Sequence, residues 1–139
     1  MNGLNVLFVD DEVDFLETLL KRMKKREVNV TGAESGEKAL ELIDREPVDV
    51  MVLDVRMPGM DGIQTLREIK KRYPLIEVIM LTGHASLEVA IEGMELGAFD
   101  YLMKPVDIDE LLYKIQDAYK KKLIQAEKIR CMEDNESCK

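Results

Sequence analysis

The sequence has few positive charges for its acidic content. It carries 20 Lys and Arg residues against 28 Asp and Glu residues, which gives a formal net charge of −8. Such a surplus of negative charge repels a phosphate backbone. We therefore expect no direct binding of nucleic acid by this chain.

Long apolar runs and a secretion signal are also missing. No window approaches the roughly 18 to 20 consecutive apolar residues that a membrane helix needs. The first residues, MNGLNVLFVDDE, lack the basic start and small-residue cleavage site of a signal peptide. We expect a cytoplasmic protein with no membrane partner.

Cysteine and aromatic residues are scarce. The two cysteines, Cys131 and Cys138, have no CxxC spacing and no nearby histidine, so we expect reduced thiols without a redox or metal role. Aromatic residues make up 5% of the sequence and apolar residues 46%, enough for one core but hardly for two. We expect one domain over residues 1–120, followed by a charged helical extension or flexible tail over residues 121–139.

What the sequence does have is a series of short apolar runs separated by helical patterns. Four of the five runs are continuous rather than alternating, which is typical of strands buried on both faces of a parallel sheet. They are VLFV at 6–9, a weaker VNVT at 28–31, VMVL at 50–53, VIML at 78–81 and YLM at 101–103. Five such β-α units predict an α/β fold, a doubly wound five-stranded parallel sheet flanked by five helices.

Local signals place several helix boundaries. Ser35 is expected to cap the second helix, and Asp107 with Glu110 resembles a capping box for the fifth. Tyr73-Pro74 and Gly97 predict the ends of the third and fourth helices. Loops are expected at Pro58-Gly59 and at Asp61-Gly62.

Chemically useful side chains follow the apolar runs, where ligands of an open α/β sheet bind. Any one of them has a plain structural explanation, such as a turn, a helix cap or a solvated charge. Their placement after successive runs favours one shared site. They are Asp10, Asp11 and Glu12 after the first run, Asp54 after the third, Thr82 after the fourth and Lys104 after the fifth.

The carboxylates in this set predict a metal site. Crowded carboxylates repel one another, and oxygen-only ligands favour Mg²⁺, with Mn²⁺ able to substitute. We expect Asp11 and Asp54 to bind directly, Asp10 to bind directly or through water, and a backbone carbonyl just after Asp54 to contribute. Asp54 could then attack a phosphoryl group, whose oxygens Thr82 and Lys104 would hold.

In their order and context these motifs resemble the CheY-like receiver domain of two-component response regulators. The motifs are VLFVDDE, VLDVRMPGMDG, MLTGHA and YLMKP, and the resemblance is closest to receivers of enhancer-binding transcription activators. It implies a flavodoxin-like fold with strand order 2-1-3-4-5. The roles that it implies are Asp54 as phosphoacceptor, Asp10 and Asp11 as the acidic pair, Thr82 as the switch hydroxyl, Lys104 as the phosphate-binding lysine and Tyr101 as the rotating aromatic.

The same resemblance implies two finer features, and the position of His84 two residues after Thr82 indicates a third. Arg56 would lend its backbone carbonyl to Mg²⁺, and the Lys104-Pro105 peptide would be cis. Arg56 and His84 could tune the lifetime of the phosphoaspartate, although a loop histidine is more often a plain surface residue.

The expected function is that of a phosphorylatable receiver in a two-component system or phosphorelay. A sensor histidine kinase or phosphotransfer protein would phosphorylate Asp54, and the surface of the fourth helix, fifth strand and fifth helix would change shape. That surface would bind a downstream protein target or an output domain. We expect a signalling phosphoacceptor that assists only its own phosphorylation and dephosphorylation, not an enzyme with an external product.

Several alternatives differ in what they require. A haloacid dehalogenase phosphatase is disfavoured because it needs a second acid at the position of Arg56. A flavodoxin-like electron carrier is disfavoured because Asp10-Asp11-Glu12 would repel its phosphate. A nucleotide hydrolase is disfavoured because a GxxxxGK[ST] motif is absent. The sequence leaves three alternatives open. The chain could be an interaction module with the receiver fold that works without phosphorylation, and it could be a stand-alone protein or part of a longer regulator. It could also form a homodimer through residues 123–130.

Overall fold

The strands and helices alternate along the chain, as the sequence predicted. The computed structural model describes residues 3–55, 61–83 and 87–133. Within these residues the elements are β1 (Asn5–Val9), α1 (Val13–Lys25), β2 (Asn29–Ala33), α2 (Gly36–Arg45), β3 (Val50–Asp54), α3 (Gly62–Arg72), β4 (Glu77–Thr82), α4 (Leu87–Glu95), β5 (Asp100–Met103) and α5 (Ile108–Glu133). The strands form one parallel sheet in the order β2-β1-β3-β4-β5, which confirms the expected fold class and strand order.

Apolar side chains of the central strands fill a core on each face of this sheet. Successive residues of a strand point to opposite faces, so Leu7 and Met51 join α2 and α3 on one side. Val6 and Val50 join α1 and α5 on the other. Burial on both faces explains why the runs are continuous in sequence rather than alternating.

The helix caps follow the sequence signals with one exception. The Ser35 side chain accepts a hydrogen bond from Lys38 N at 3.2 Å, and Asp107 accepts one from Glu110 N at 3.3 Å. The expected loop at Asp61-Gly62 is wrong, because Asp61 is the N-cap of α3 and Gly62 its first residue. The Asp61 side chain accepts from Gln64 N, and Gln64 Oε1 accepts from Asp61 N, in a reciprocal capping box.

The ends of α3 and α4 lie where the sequence placed them. The C-cap of α3 is Tyr73, and Gly97 follows α4 with a φ of +104°. Glycine adopts that left-handed conformation without the steric cost that a Cβ brings. The other expected loop, Pro58-Gly59, lies outside the described residues.

Helix α5 is longer than the other described helices and continues past the domain boundary expected at residue 120. It runs for 26 residues, and along its first half Leu111, Ile115 and Ala118 are fully buried against the sheet. In the described parts of the chain, neither α5 nor another helix has the length and apolar character needed to cross a membrane. Because α5 ends at Glu133, the extension predicted for residues 121–139 is helical as far as that residue.

Two lysines at the start of the extension reach back to buried carboxylates at the amino ends of the strands. Lys121 Nζ lies 3.4 Å from Glu77 Oε2, and Lys122 forms an ion pair with Asp49. Glu77 and Asp49 are only 3% and 7% exposed. Because a buried carboxylate needs a partner, these contacts fix α5 to the base of the sheet.

The carboxylates at the base have further partners. Asp49 also accepts a hydrogen bond from Asn5 N at 2.8 Å, and Lys70 Nζ of α3 lies 3.9 Å from Glu77. Burial lowers the pKa of Lys70, and the charge of Glu77 opposes that effect. The base of the sheet thus holds positive charges from α3 and α5 against the negative charges of Asp49 and Glu77, next to the start of β3 and at the start of β4.

The expectation of reduced thiols is wrong for Cys131. This residue, near the end of α5, is disulfide-bonded in the structure. Cys138 lies outside the described residues.

Lys122→Ala should lower the free energy of unfolding by about 2 kcal/mol, since it leaves the buried Asp49 carboxylate without its counter-charge. Urea unfolding followed by circular dichroism measures this change. Lys128→Ala removes the same charge from an exposed position of the same helix, and it should leave stability nearly unchanged. Equal losses in both variants would contradict the role given to Lys122.

Candidate functional site

The carboxyl ends of four strands bring four of the expected side chains to one rim of the sheet. Asp10 follows β1, Asp54 ends β3, Thr82 ends β4 and Lys104 follows β5. Because β1 and β4 flank β3, the aspartate of β3 lies at the centre of this rim. Asp10 and Asp54 are 3% exposed and Thr82 is 7% exposed.

Lys104 connects the acidic residues of the rim. Its Nζ donates a hydrogen bond to Asp10 Oδ2 at 2.9 Å and another to Glu12 Oε1 at 3.2 Å. The same Nζ lies 3.7 Å from Asp54 Oδ2. The backbone of Lys104 is fixed as well, since its N donates to Thr82 O at 2.8 Å and the expected cis Lys104-Pro105 peptide is confirmed.

Lys104 keeps its charge in this position. Burial by itself would lower its pKa, but the hydrogen bond to Asp10 and the charges of Asp10 and Asp54 raise it above the usual lysine value. The side chain is 14% exposed, so these attractions act with little screening by solvent. A charged ammonium therefore lies beside the Asp54 carboxylate.

The carboxylates of the rim form a group that fits a divalent cation. Asp10, Glu12 and Asp54 each offer an oxygen atom, and the three oxygens lie within 4.8 Å of one another. A donor set of oxygens only suits Mg²⁺ better than a softer metal ion. The structure thus places two of the expected ligands, Asp10 and Asp54, in one group.

Glu12 is a member of this group that the sequence interpretation did not assign as a ligand. Its own backbone N donates to Asp10 Oδ1 at 2.9 Å, which fixes the loop after β1. Asp11 is exposed and lies outside the group, so its role as a direct ligand stays a prediction. The signal for Glu12 was its position two residues after Asp10, where both side chains can turn to the same side.

Thr82 borders an open space between α3 and α4. A cavity of about 330 Å³ is lined by residues that include Val55, Gln64, Arg67 and Glu92 as well as Thr82. Arg67 Nη2 and Glu92 Oε1 face each other across it at 4.0 Å. The neighbourhood of Thr82 therefore has room for a side chain or for α4 to move.

Tyr101 on β5 faces outward. It is 40% exposed and lines a second, shallow cavity of about 330 Å³ with Ala90, Ile91 and Met94 of α4. Ile91 and Met94 are 48% and 42% exposed, so this side of α4 and β5 presents an apolar surface. The two remaining expected site residues, Arg56 and His84, lie outside the described residues.

Comparison with known proteins gives the family. The family described as response regulator receiver domain matches residues 6–116. The chain belongs to this family. A receiver is a signalling domain of two-component response regulators, as the sequence motifs had implied.

The chain is similar both to curated regulators and to solved receiver domains. The chain is 39% identical over 117 residues to the transcriptional regulatory protein ZraR of Escherichia coli strain K12, an alignment that covers 84% of this chain and 26% of ZraR. A receiver domain from Clostridium thermocellum has a TM-score of 0.83 and 35% identity, covering 88% of this chain and 98% of that one. For the receiver domain of NtrX from Brucella abortus the TM-score is 0.78 and the identity 31%, covering 83% and 98%.

This receiver spans about a quarter of the curated relatives that it matches, with 26% of ZraR covered. The similarity therefore concerns their receiver domains. Activities that belong to the remaining three quarters of those proteins are not carried over to this chain by it.

Gly62 lets the first turn of α3 approach the backbone beside the site. A Cβ at this position would lie 2.3 Å from Val55 Cα and 2.6 Å from Asp54 O. Gly62 N also donates to Val55 O at 3.3 Å. Since backbone atoms cannot move aside as the end of a flexible side chain can, a larger residue here must displace either α3 or the end of β3.

Gly62→Ala should therefore destabilise the receiver by about 1 to 3 kcal/mol, the usual cost of overpacking. Urea unfolding measures this change. Gly83→Ala is the matched control, because a Cβ at Gly83 meets no atom within 4 Å, and it should have little effect. A Gly62→Ala variant as stable as the Gly83→Ala variant would contradict the close approach.

Lys104 and a bound cation would compete for the same carboxylates. Lys104→Met should therefore raise the affinity for Mg²⁺ by about tenfold or more, because it removes a positive charge within 4 Å of the ligand oxygens. Calorimetric titration measures this affinity, because the chain has no tryptophan whose fluorescence could report binding. Lys38→Met, an exposed change of equal charge on α2, should leave the affinity unchanged, and weaker binding by Lys104→Met would contradict the competition.

Proposed function

We propose that this receiver is switched by phosphorylation of Asp54, with a histidine kinase or a phosphotransfer protein as the donor. The observation that carries the proposal is the buried Asp54 carboxylate, 3% exposed, next to a charged lysine and within a group of three carboxylates. Burial and charge of this kind are typical of groups that take part in chemistry rather than of surface aspartates. The family membership of the chain supports the same conclusion.

Each residue of the rim has a part in the proposed transfer. An oxygen of Asp54 forms a bond to phosphorus while the bond between phosphorus and the donor's histidine nitrogen breaks. Lys104 and Thr82 hold the oxygens of the transferred group. When bound by Asp10, Asp54 and either Asp11 or Glu12, Mg²⁺ supplies positive charge that offsets the repulsion between these carboxylates and the phosphoryl oxygens. The backbone carbonyl of Arg56 is a further proposed ligand.

The proposed switch leads from Thr82 to the surface of α4 and β5. Thr82 moves towards the new negative charge, and the cavity between α3 and α4 provides space for that movement. Tyr101, now 40% exposed, turns inward behind it. The apolar surface of α4 and β5 changes shape as a result, which alters its affinity for a protein partner or a second copy.

The wider context is proposed from the relatives. Receivers such as that of ZraR belong to transcriptional regulators about four times the length of the match. We infer that this receiver works in the cytoplasm and controls an output domain or a separate protein target. Its own part is to accept and lose a phosphoryl group, and DNA binding would belong to that target because this chain is acidic.

Acetyl phosphate with Mg²⁺ should phosphorylate the wild-type chain and shift its mobility on a phosphate-affinity gel. Asp54→Asn should abolish the shift, since the amide nitrogen and oxygen cannot form the acyl phosphate. Asp14→Asn changes the charge equally at an exposed position of α1 and should retain the shift. A wild-type chain that never shifts would favour the phosphorylation-independent interaction module instead.

Arg56 and His84 are proposed to set the lifetime of the phosphoaspartate through access of water. His84→Ala should change the rate at which phosphorylated protein loses its label after the donor is removed. Decay at the wild-type rate would assign His84 to the surface without a role in the reaction.

A further inference from the structure

An aromatic ring lies against the ammonium group of Lys104. Lys104 Nζ is 4.3 Å from the centroid of the Phe15 ring, well inside the distance of about 6 Å at which a cation is attracted to the face of a ring. Phe15 is on the first turn of α1, three residues after Glu12, so both side chains can reach the same ammonium. This attraction is stronger than at an exposed site, because Lys104 is only 14% exposed.

The ring differs from the other neighbours of Lys104 in what it can bind. Asp10, Glu12 and Asp54 contact the ammonium, but the same three carboxylates form the group suited to a cation. A hydrocarbon ring is no ligand for a hard cation such as Mg²⁺. Contact with Phe15 can therefore persist when the carboxylates exchange Lys104 for a metal ion.

Without the ring, Lys104 would keep one partner that lies close to solvent. The Glu12 side chain is 65% exposed, so an ammonium that followed it would move towards solvent and away from Asp54. The Phe15 ring lies beside Asp10 and Leu16, and the cavity that it lines with them and neighbouring residues measures only about 10 Å³. A space of that size is at the lower limit for one water molecule.

We propose that Phe15 is a positioning residue for phosphoryl transfer: the face of its ring keeps Lys104 Nζ beside Asp54 while the carboxylates turn to the cation. This inference rests on the proposed phosphorylation of Asp54. Through Phe15, helix α1 would contribute to the reaction in addition to the acidic loop that precedes it. A leucine at this position would fill much of the same volume but offers no π face.

The rate of phosphorylation by acetyl phosphate with Mg²⁺ tests this role. Phe15→Leu should slow the reaction by about three- to tenfold, the range that a partly desolvated cation–π contact provides. Phe15→Tyr keeps the ring and should restore most of the rate. Replacing Phe15 alone by phenylalanines with one, three and five fluorine atoms weakens the ring's negative face with little change in shape, so the rate should fall stepwise.

Phe99 supplies the control for the fluorinated series. Its ring lies 5.9 Å from Lys121 Nζ, another lysine–phenylalanine contact, but on a part of the fold that includes none of the rim residues. The same fluorinated residues at Phe99 should leave the phosphorylation rate unchanged. Rates that stay flat along the Phe15 series in a phosphorylatable protein would overturn the positioning role, even if Phe15→Leu were poorly folded.

A second readout needs no phosphorylation. The ring current of Phe15 should shift the Cε protons of Lys104 upfield in the NMR spectrum, and this shift should remain when Mg²⁺ and beryllofluoride are added. Its loss on adding them would show that Lys104 leaves the ring, and would overturn the inference. A wild-type chain that acetyl phosphate does not modify, yet shows the shift, would overturn the proposed function and the positioning role with it.

Discussion

The ion pairs between one ammonium and the buried carboxylates of the rim are the interaction on which the site depends. Burying two carboxylates at 3% exposure is costly unless a positive charge lies nearby. Lys104 provides that charge from its position just after β5, so it is a structural counter-ion in this state and a ligand for phosphoryl oxygens in the proposed one. The same contacts join residues at the carboxyl ends of β1, β3 and β5.

The apolar runs predicted the strands well because a central strand of a parallel sheet is buried on both faces. The site residues followed from the same reasoning, since parallel strands deliver the residues that follow them to one edge. The strand order did not follow from the apolar runs, because five β-α units are compatible with several orders. Only the resemblance to a family predicted the order 2-1-3-4-5. Glu12 was not assigned as a ligand because Asp11 was expected to bind instead, whereas the structure brings Glu12, two residues after Asp10, into the same group.

Other features depend on contacts that local patterns do not encode. The capping box of Asp61 and Gln64 was hidden by the glycine between them, which is as common in a turn as in the first turn of a helix. The ion pair of Lys122 with Asp49 joins residues 73 positions apart, and on the sequence alone both are ordinary charged residues. On the sequence alone Phe15 is one apolar residue of a helix, and its contact with Lys104 arises only because the residue after β5 lies against the start of α1.

The ion pairs at the base of the sheet have a geometric consequence for anything joined to α5. Because Lys121 and Lys122 tie the helix to fixed strands, the direction in which each later side chain points is set relative to the sheet. One residue inserted after Lys122 would turn all that follows by about 100° around the helix axis. The ion pairs of the receiver thus set the rotation, about the helix axis, of any segment that continues α5.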